Sequence, residues 1–223
     1  HAARVADLLA AREARGALPR AALPDLARLA ESLDAPIPMG FEELRVLAKD
    51  FGGLPEARLA EELRTKLRDY QQRGVDWLVF LRNARLGALL ADDMGLGKTL
   101  QTLVWLKWLK TSRRKNAKTK PTLVVCPASV LHNWRRESER FTSYMKVLVL
   151  ESGQARHNLR KQIPDHDIVV TNYSILRRDL DDLAKFAFRA VVLDEAQFIK
   201  NPGAQVTKSV KELKADHKLA LTG

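Results

Sequence analysis

The chain has 223 residues, 46% hydrophobic and 29% charged, with a formal net charge of +11. That length holds one large core and a small appendage, no apolar run reaches the ~18 residues of a membrane span, and no basic-then-apolar secretory signal opens the chain. The single cysteine, Cys126, excludes an internal disulfide and fits a reducing, cytoplasmic setting.

The first sixty residues are rich in Ala, Leu, Arg and Glu. Val5, Leu8 and Leu9 recur at helical spacing, with Gly16 as a stop. Leu26, Leu29 and Leu33 repeat the pattern after Pro24-Asp25, and Glu42 to Asp50 reads as a third helix ending near Gly52-Gly53. None of these segments carries a chemical motif, so residues 1–62 read as a helical N-terminal extension. His1 in place of a starting Met reads as a piece of a longer protein.

Charge divides at the same place. Residues 1–62 hold 8 Lys/Arg against 11 Asp/Glu, and residues 63–223 hold 30 against 16. A basic domain behind an acidic prefix points to a polyanionic partner. From residue 63 short apolar runs alternate with helical stretches. The predicted strands are Gly87–Ala91, Thr122–Cys126, Lys146–Leu150, Ile168–Thr171, Ala190–Leu193 and Lys218–Leu221. Runs such as Leu123-Val124-Val125 are apolar without alternation, as in a parallel sheet covered on both faces. The fold class is therefore α/β, a mostly parallel sheet flanked by helices, over residues 63–223. Lys107 to Lys120 holds seven Lys/Arg and no acid, and its second half reads as a basic loop.

Two motifs sit at predicted strand ends, where ligands bind in such sheets. The first is Asp92-Asp93-Met94-Gly95-Leu96-Gly97-Lys98-Thr99. Gly95 and Gly97 let backbone N–H groups face a polyphosphate without a Cβ in the way. Lys98 is placed to reach the β/γ-phosphates and Thr99 to offer its hydroxyl to Mg²⁺. The helix starting near Lys98 adds its positive dipole end. Asp92 stands where the general phosphate-loop pattern has Gly. The second motif is Asp194-Glu195-Ala196-Gln197 after the apolar run Val191-Val192-Leu193. Asp194 is expected to hold Mg²⁺, and Glu195 to orient or deprotonate a water. Together the pair provides the parts that phosphoryl transfer from ATP requires.

These segments resemble the Swi/Snf-type ATPases, the DNA-translocating branch of helicase superfamily two. Leu67-Arg68-Asp69-Tyr70-Gln71-Gln72-Arg73-Gly74-Val75-Asp76-Trp77 is similar to the family's opening Leu-Arg-Pro-Tyr-Gln-x-x-Gly-Val-x-Trp, with Asp69 where Pro is usual. Asp92 to Thr99 resembles its Asp-Glu-Met-Gly-Leu-Gly-Lys-Thr, so Asp92 is expected in this family. Leu123 to Trp134, Ile168 to Arg177, Asp194 to Asn201 and Leu219 to Gly223 resemble four further elements, in the family's order.

The resemblance implies a RecA-like first lobe, with the motor's second lobe and its arginine finger supplied from outside residues 1–223. It implies ATP and Mg²⁺ as cofactors, with Asp92, Asp93, Met94, Gly95, Leu96, Gly97, Lys98 and Thr99 around the phosphates. Gln71 would bond the adenine edge, and Gln197 would sense the γ-phosphate. Thr222 would couple the ATP state to DNA grip. Ser129, Asn133, Thr171 and Asn172 would hold double-stranded DNA through phosphates, with helix capping as their plain alternative. Trp77 and Trp134 read as packed rather than ligand-facing. The implied function is translocation on duplex DNA to remodel a DNA-bound protein target, with no membrane role. The fragment alone is expected to turn over slowly or not at all. A strand-separating helicase of the same superfamily and a non-catalytic binding module are the rival readings. Composition leans towards a bacterial, nucleoid-associated protein.

Overall fold

The computed structural model describes residues 54–223 apart from 94, 113–118, 154 and 155. The three helices read in the prefix, Met94, and Arg113 to Lys118 of the basic run lie outside the described residues. Helix α1 (Glu61–Arg64) is one turn long. Its Leu63 is buried in the core, Ala57 and Leu59 pack beside it, and Glu62 pairs with Lys107. A boundary between residues 62 and 63 thus cuts through a helix, and Ala57 and Leu59 before it pack against the lobe's core.

Among the described residues six strands form one sheet: β1 (Ala88–Ala91), β2 (Thr122–Cys126), β3 (Val147–Val149), β4 (Ile168–Asn172), β5 (Ala187–Leu193) and β6 (Lys214–Thr222). Every pairing is parallel, in the order β1-β6-β5-β2-β4-β3. The helices after α1 are α2 (Asp69–Asn83), α3 (Lys98–Thr111), α4 (Leu131–Phe141), α5 (Arg156–Arg160), α6 (Tyr173–Arg178), α7 (Leu180–Leu183) and α8 (Gln205–Glu212).

Alternation along the strands divides the core in two. Val124, Cys126, Val170, Val192 and Leu219 face α2, α3 and α4, with Val75, Leu78, Leu103, Trp105 and Trp134 packed against them. Leu123, Val125, Val169, Val191 and Leu193 face the other way, onto Tyr173, Leu176, Leu183 and Val210. Strand β2 is buried throughout, which is why its sequence shows no polar alternation. Burying each Val or Leu contributes about 1.5–3 kcal/mol relative to exposure. The two cores bind the helical layers to the sheet, and so fix the loops at its ends.

Helix α2 starts where the Gln71 side chain turns back, its Oε1 accepting the Arg68 N–H at 3.0 Å. It crosses α3 at Gly74, where a Cβ would meet the end of the Gln101 side chain. The basic run is less available than its composition implies. Lys107 is buried beside Glu62 and lies over the Tyr144 ring, Lys110 bonds Asp167 at 2.8 Å, and Lys120 bonds Asp216 at 2.6 Å. No described helix is long and apolar enough to cross a membrane.

Candidate active site

Register brings the two motifs to one end of the sheet. Ala91, the last residue of β1, lies opposite Thr222 of β6, and Leu193, the last of β5, lies opposite Ala220 of the same strand. The loops holding Lys98 and Asp194 therefore leave the same edge with only β6 between them. Two strand spacings separate β1 from β5, or about 10 Å.

Two glycines shape the phosphate loop. Gly95 has φ +85° with open space where a Cβ would project, and Gly97 has φ +78° at the N-cap of α3. A Cβ at Gly97 would lie 2.5 Å from Nε2 of Gln71. Left-handed backbone suits glycine because other residues pay a steric penalty there. Lys98 Nζ donates to the Asp92 carbonyl at 2.6 Å and the Asp93 carbonyl at 3.0 Å, so the lysine bridges the loop's own backbone. Gln101 bonds Asp92 Oδ2 at 3.5 Å and the Leu96 carbonyl at 3.4 Å. Thr99 is half-buried in the first turn of α3.

Gln71 is 7% exposed, and its Nε2 donates to the Leu96 carbonyl at 3.2 Å. Both ends of the amide thus already bond the chain's own backbone. A primary amide keeps a second hydrogen and a second lone pair, so it retains capacity for an adenine edge.

Asp194 is bonded at every oxygen. Its Oδ2 accepts the Trp134 indole N–H at 2.8 Å, its Oδ1 accepts the Glu195 N–H at 3.0 Å, and its carbonyl accepts the Tyr173 hydroxyl at 2.8 Å. Burial pushes the Asp194 carboxyl above the usual carboxylate range; the Trp134 bond opposes this, the Glu195 charge adds to it, and Lys98 pulls it back. Burial, with the Asp194 charge adding to it, also pushes the Cys126 thiol up to about 12, so this thiol is a packed apolar group and not a nucleophile.

Glu195 has φ 52°, in the left-handed region. Gln197 donates to Glu195 Oε2 at 2.7 Å, and Gln197 Oε1 accepts the Thr222 hydroxyl at 3.2 Å. A chain of contacts therefore runs from the acidic pair to the end of β6. Phe198, an exposed ring, stacks on Tyr173 with centroids 5.1 Å apart.

The candidate nucleic-acid residues divide. Ser129 is exposed and Asn133 half-buried, at the turn between β2 and α4, and Asn133 accepts from Arg136 at 2.7 Å. Asn172 caps α6, accepting the Ile175 N–H at 2.9 Å. Thr171 is a correction. It is fully buried and its hydroxyl donates to the Leu150 carbonyl at 3.2 Å, so its side chain offers nothing to a phosphate. Trp77 is half-buried and stacks with Phe80, with centroids 6.0 Å apart. Trp134 is packed, as read, but its bond to Asp194 was missed. The available signal was the rule that a buried indole N–H finds an acceptor.

The family model for the SNF2-related domain matches residues 70–223. The chain belongs to the SNF2-related domain family. It is 37% identical over 180 residues to the TATA-binding protein-associated factor BTAF1 of Arabidopsis thaliana, covering 78% of this chain and 9% of that protein. It is 37% identical over 173 residues to the putative ATP-dependent helicase/translocase YwqA of Bacillus subtilis, covering 76% and 18%. The Sulfolobus solfataricus SWI2/SNF2 ATPase core, solved in complex with dsDNA, superposes with a TM-score of 0.63 at 41% identity, covering 70% of this chain and 32% of that one. The RecA-like lobe is thereby shown as the fold. The chain spans only a small part of the length of these relatives. They come from a plant and a bacterium alike, so composition does not fix the source.

The donor set fits a nucleotide with Mg²⁺. Asp194 and Thr99 carry hard oxygen groups, the donor type that Mg²⁺ takes. Among the described residues no cluster of three or more His, Cys, Asp or Glu could hold a metal alone.

Proposed function

We propose that this chain is the ATP-binding first lobe of a DNA-dependent ATPase that translocates on double-stranded DNA and remodels protein–DNA complexes. The observation that carries the reading is the meeting of the Lys98 loop and the Asp194-Glu195 pair at one sheet end, across a single intervening strand. Backbone N–H groups from Gly95 to Thr99 would cradle the polyphosphate, and Lys98 would exchange its backbone carbonyls for phosphate oxygens. Thr99 and Asp194 would hold Mg²⁺, which when bound neutralises phosphate charge. Glu195 would take the proton of the attacking water, and Gln197 would relay γ-phosphate loss to Thr222. Gln71 would bond the adenine edge. Ser129, Asn133 and Asn172 would contact the DNA backbone without reading sequence.

The motor would be completed by a second RecA-like lobe carrying the arginine that neutralises transition-state charge. Such an arginine contributes roughly 10³–10⁵ in rate, so residues 1–223 alone would hydrolyse ATP slowly. A DNA-bound protein would be the target, and the place of work the cytoplasm or nucleoid. The test is ATP turnover by a two-lobed form with duplex or single-stranded DNA. Stronger stimulation by duplex without strand displacement is the expected result; displacement would favour the strand-separating reading.

A further inference from the structure

The two turns that carry the candidate DNA contacts each send one hydrogen bond to the same aspartate. Trp134 lies in the first turn of α4, next to Asn133, and reaches Asp194 from one face of the sheet. Tyr173 opens α6, next to Asn172, and reaches the Asp194 carbonyl from the other face. Both bonds are 2.8 Å long and both donors are buried, Trp134 at 1% exposure and Tyr173 at 7%. Asp194 itself stands at the end of β5, which pairs directly with β2. The half-buried Asn133 and Asn172 of these turns thus lie one position away from the side chains that fix Asp194.

We propose that Trp134 is a positioning residue that couples the DNA-facing turn of α4 to Asp194, by aiming carboxylate oxygen Oδ2 with its indole N–H. The inference rests on the nucleotide and DNA reading above and deepens it. Three properties of the contact support it. The bond is charge-assisted, so its loss leaves a half-buried carboxylate under-satisfied. The indole is rigid and closely packed, so a shift of the first turn of α4 moves the N–H with it. The Tyr173 bond anchors the Asp194 backbone, so such a shift is taken up by the side chain and not by the strand. Removing a partner of this kind typically costs 10–100-fold in metal affinity.

The experiment uses the Trp134→Phe variant and, independently, the unaltered chain. A fluorescent ATP analogue is titrated with Mg²⁺ present and absent, with and without a short DNA duplex. The Phe variant is expected to melt close to the parent and to bind metal-free nucleotide equally well. It should need about 10-fold or more extra Mg²⁺, and the duplex should no longer alter that requirement. In the unaltered chain, the indole N–H resonance of Trp134 should move when duplex is added without nucleotide. That measurement holds even if the variant fails to fold. An unchanged Mg²⁺ requirement in a folded variant, or a Trp134 resonance that stays fixed while duplex shifts other signals, overturns the coupling alone. A parent that binds neither Mg²⁺-nucleotide nor duplex overturns the underlying reading, and the coupling with it.

Discussion

A Cβ placed on Gly74 would lie 1.9 Å from Oε1 of Gln101. Gln101 is fully buried, and its other amide atom braces the phosphate loop at Asp92 and Leu96. The close crossing of α2 and α3 therefore bears on the loop that leads directly into α3. Gly74→Ala is expected to push Gln101 off its two partners, because the end of that side chain must move to admit the Cβ. The expected cost is about 1–3 kcal/mol of stability, seen as a lower midpoint in denaturant, with weaker nucleotide binding. An unchanged midpoint and affinity would show that Gln101 does not brace the loop.

Lys98→Ala should leave the fold intact, since the lysine is only half-buried and bonds the loop's own carbonyls. Nucleotide affinity should fall by roughly 10–150-fold, the equivalent of ~1.5–3 kcal/mol for a hydrogen bond to a charged group. Equilibrium binding of a fluorescent ATP analogue measures it. Affinity equal to the parent's would remove Lys98 from the phosphate site.

Glu195→Gln keeps the shape and the Gln197 neighbour but removes the proposed base. In the two-lobed protein, turnover should drop by roughly 10²–10⁴ while nucleotide affinity holds. Parallel binding and single-turnover measurements separate the two. Unchanged turnover would favour the non-catalytic binding module.

His217 supplies a pH dependence. Burial, with the Arg82 charge behind it, holds its imidazole below the ordinary value of 6.5, and its ring is set edge-on to Trp105. The unfolded chain therefore binds a proton more readily than the folded one, so stability rises with pH. The contribution is fully present above the unfolded pKa and is lost as pH falls below about 6.5. Denaturant midpoints between about pH 7.5 and pH 5 should slope downward in the parent and less steeply in His217→Gln. Equal slopes would assign the dependence to other groups.

Much of this was legible in the residues. The six apolar runs became the six strands, with β2 matching residue for residue. Strand β6 was read as Lys218–Leu221 but begins at Lys214. Lys214, Asp216 and Lys218 are exposed while their neighbours are partly covered, so the start of that strand alternates and lacks a continuous apolar signal. The phosphate loop and acidic pair were visible because their chemistry demands particular types at fixed spacing. Trp134 and Tyr173 were not, since their bonds to Asp194 span 60 and 21 residues and depend on helices packing on opposite faces. Thr171 was misread for a related reason. A threonine ending an apolar run resembles a surface turn, yet β4 continues one residue further and keeps it inside.

The backbone of Glu195 has a consequence for how this protein could change. A non-glycine residue at φ 52° is held in a conformation disfavoured by about 1–2 kcal/mol. Glycine there would relax the turn, so a sequence drifting towards thermostability alone would discard this acid early. If Glu195 is the base proposed above, its retention in a descendant would signal that turnover was still being selected, and its replacement by glycine would be an early sign of a lobe kept only as scaffold.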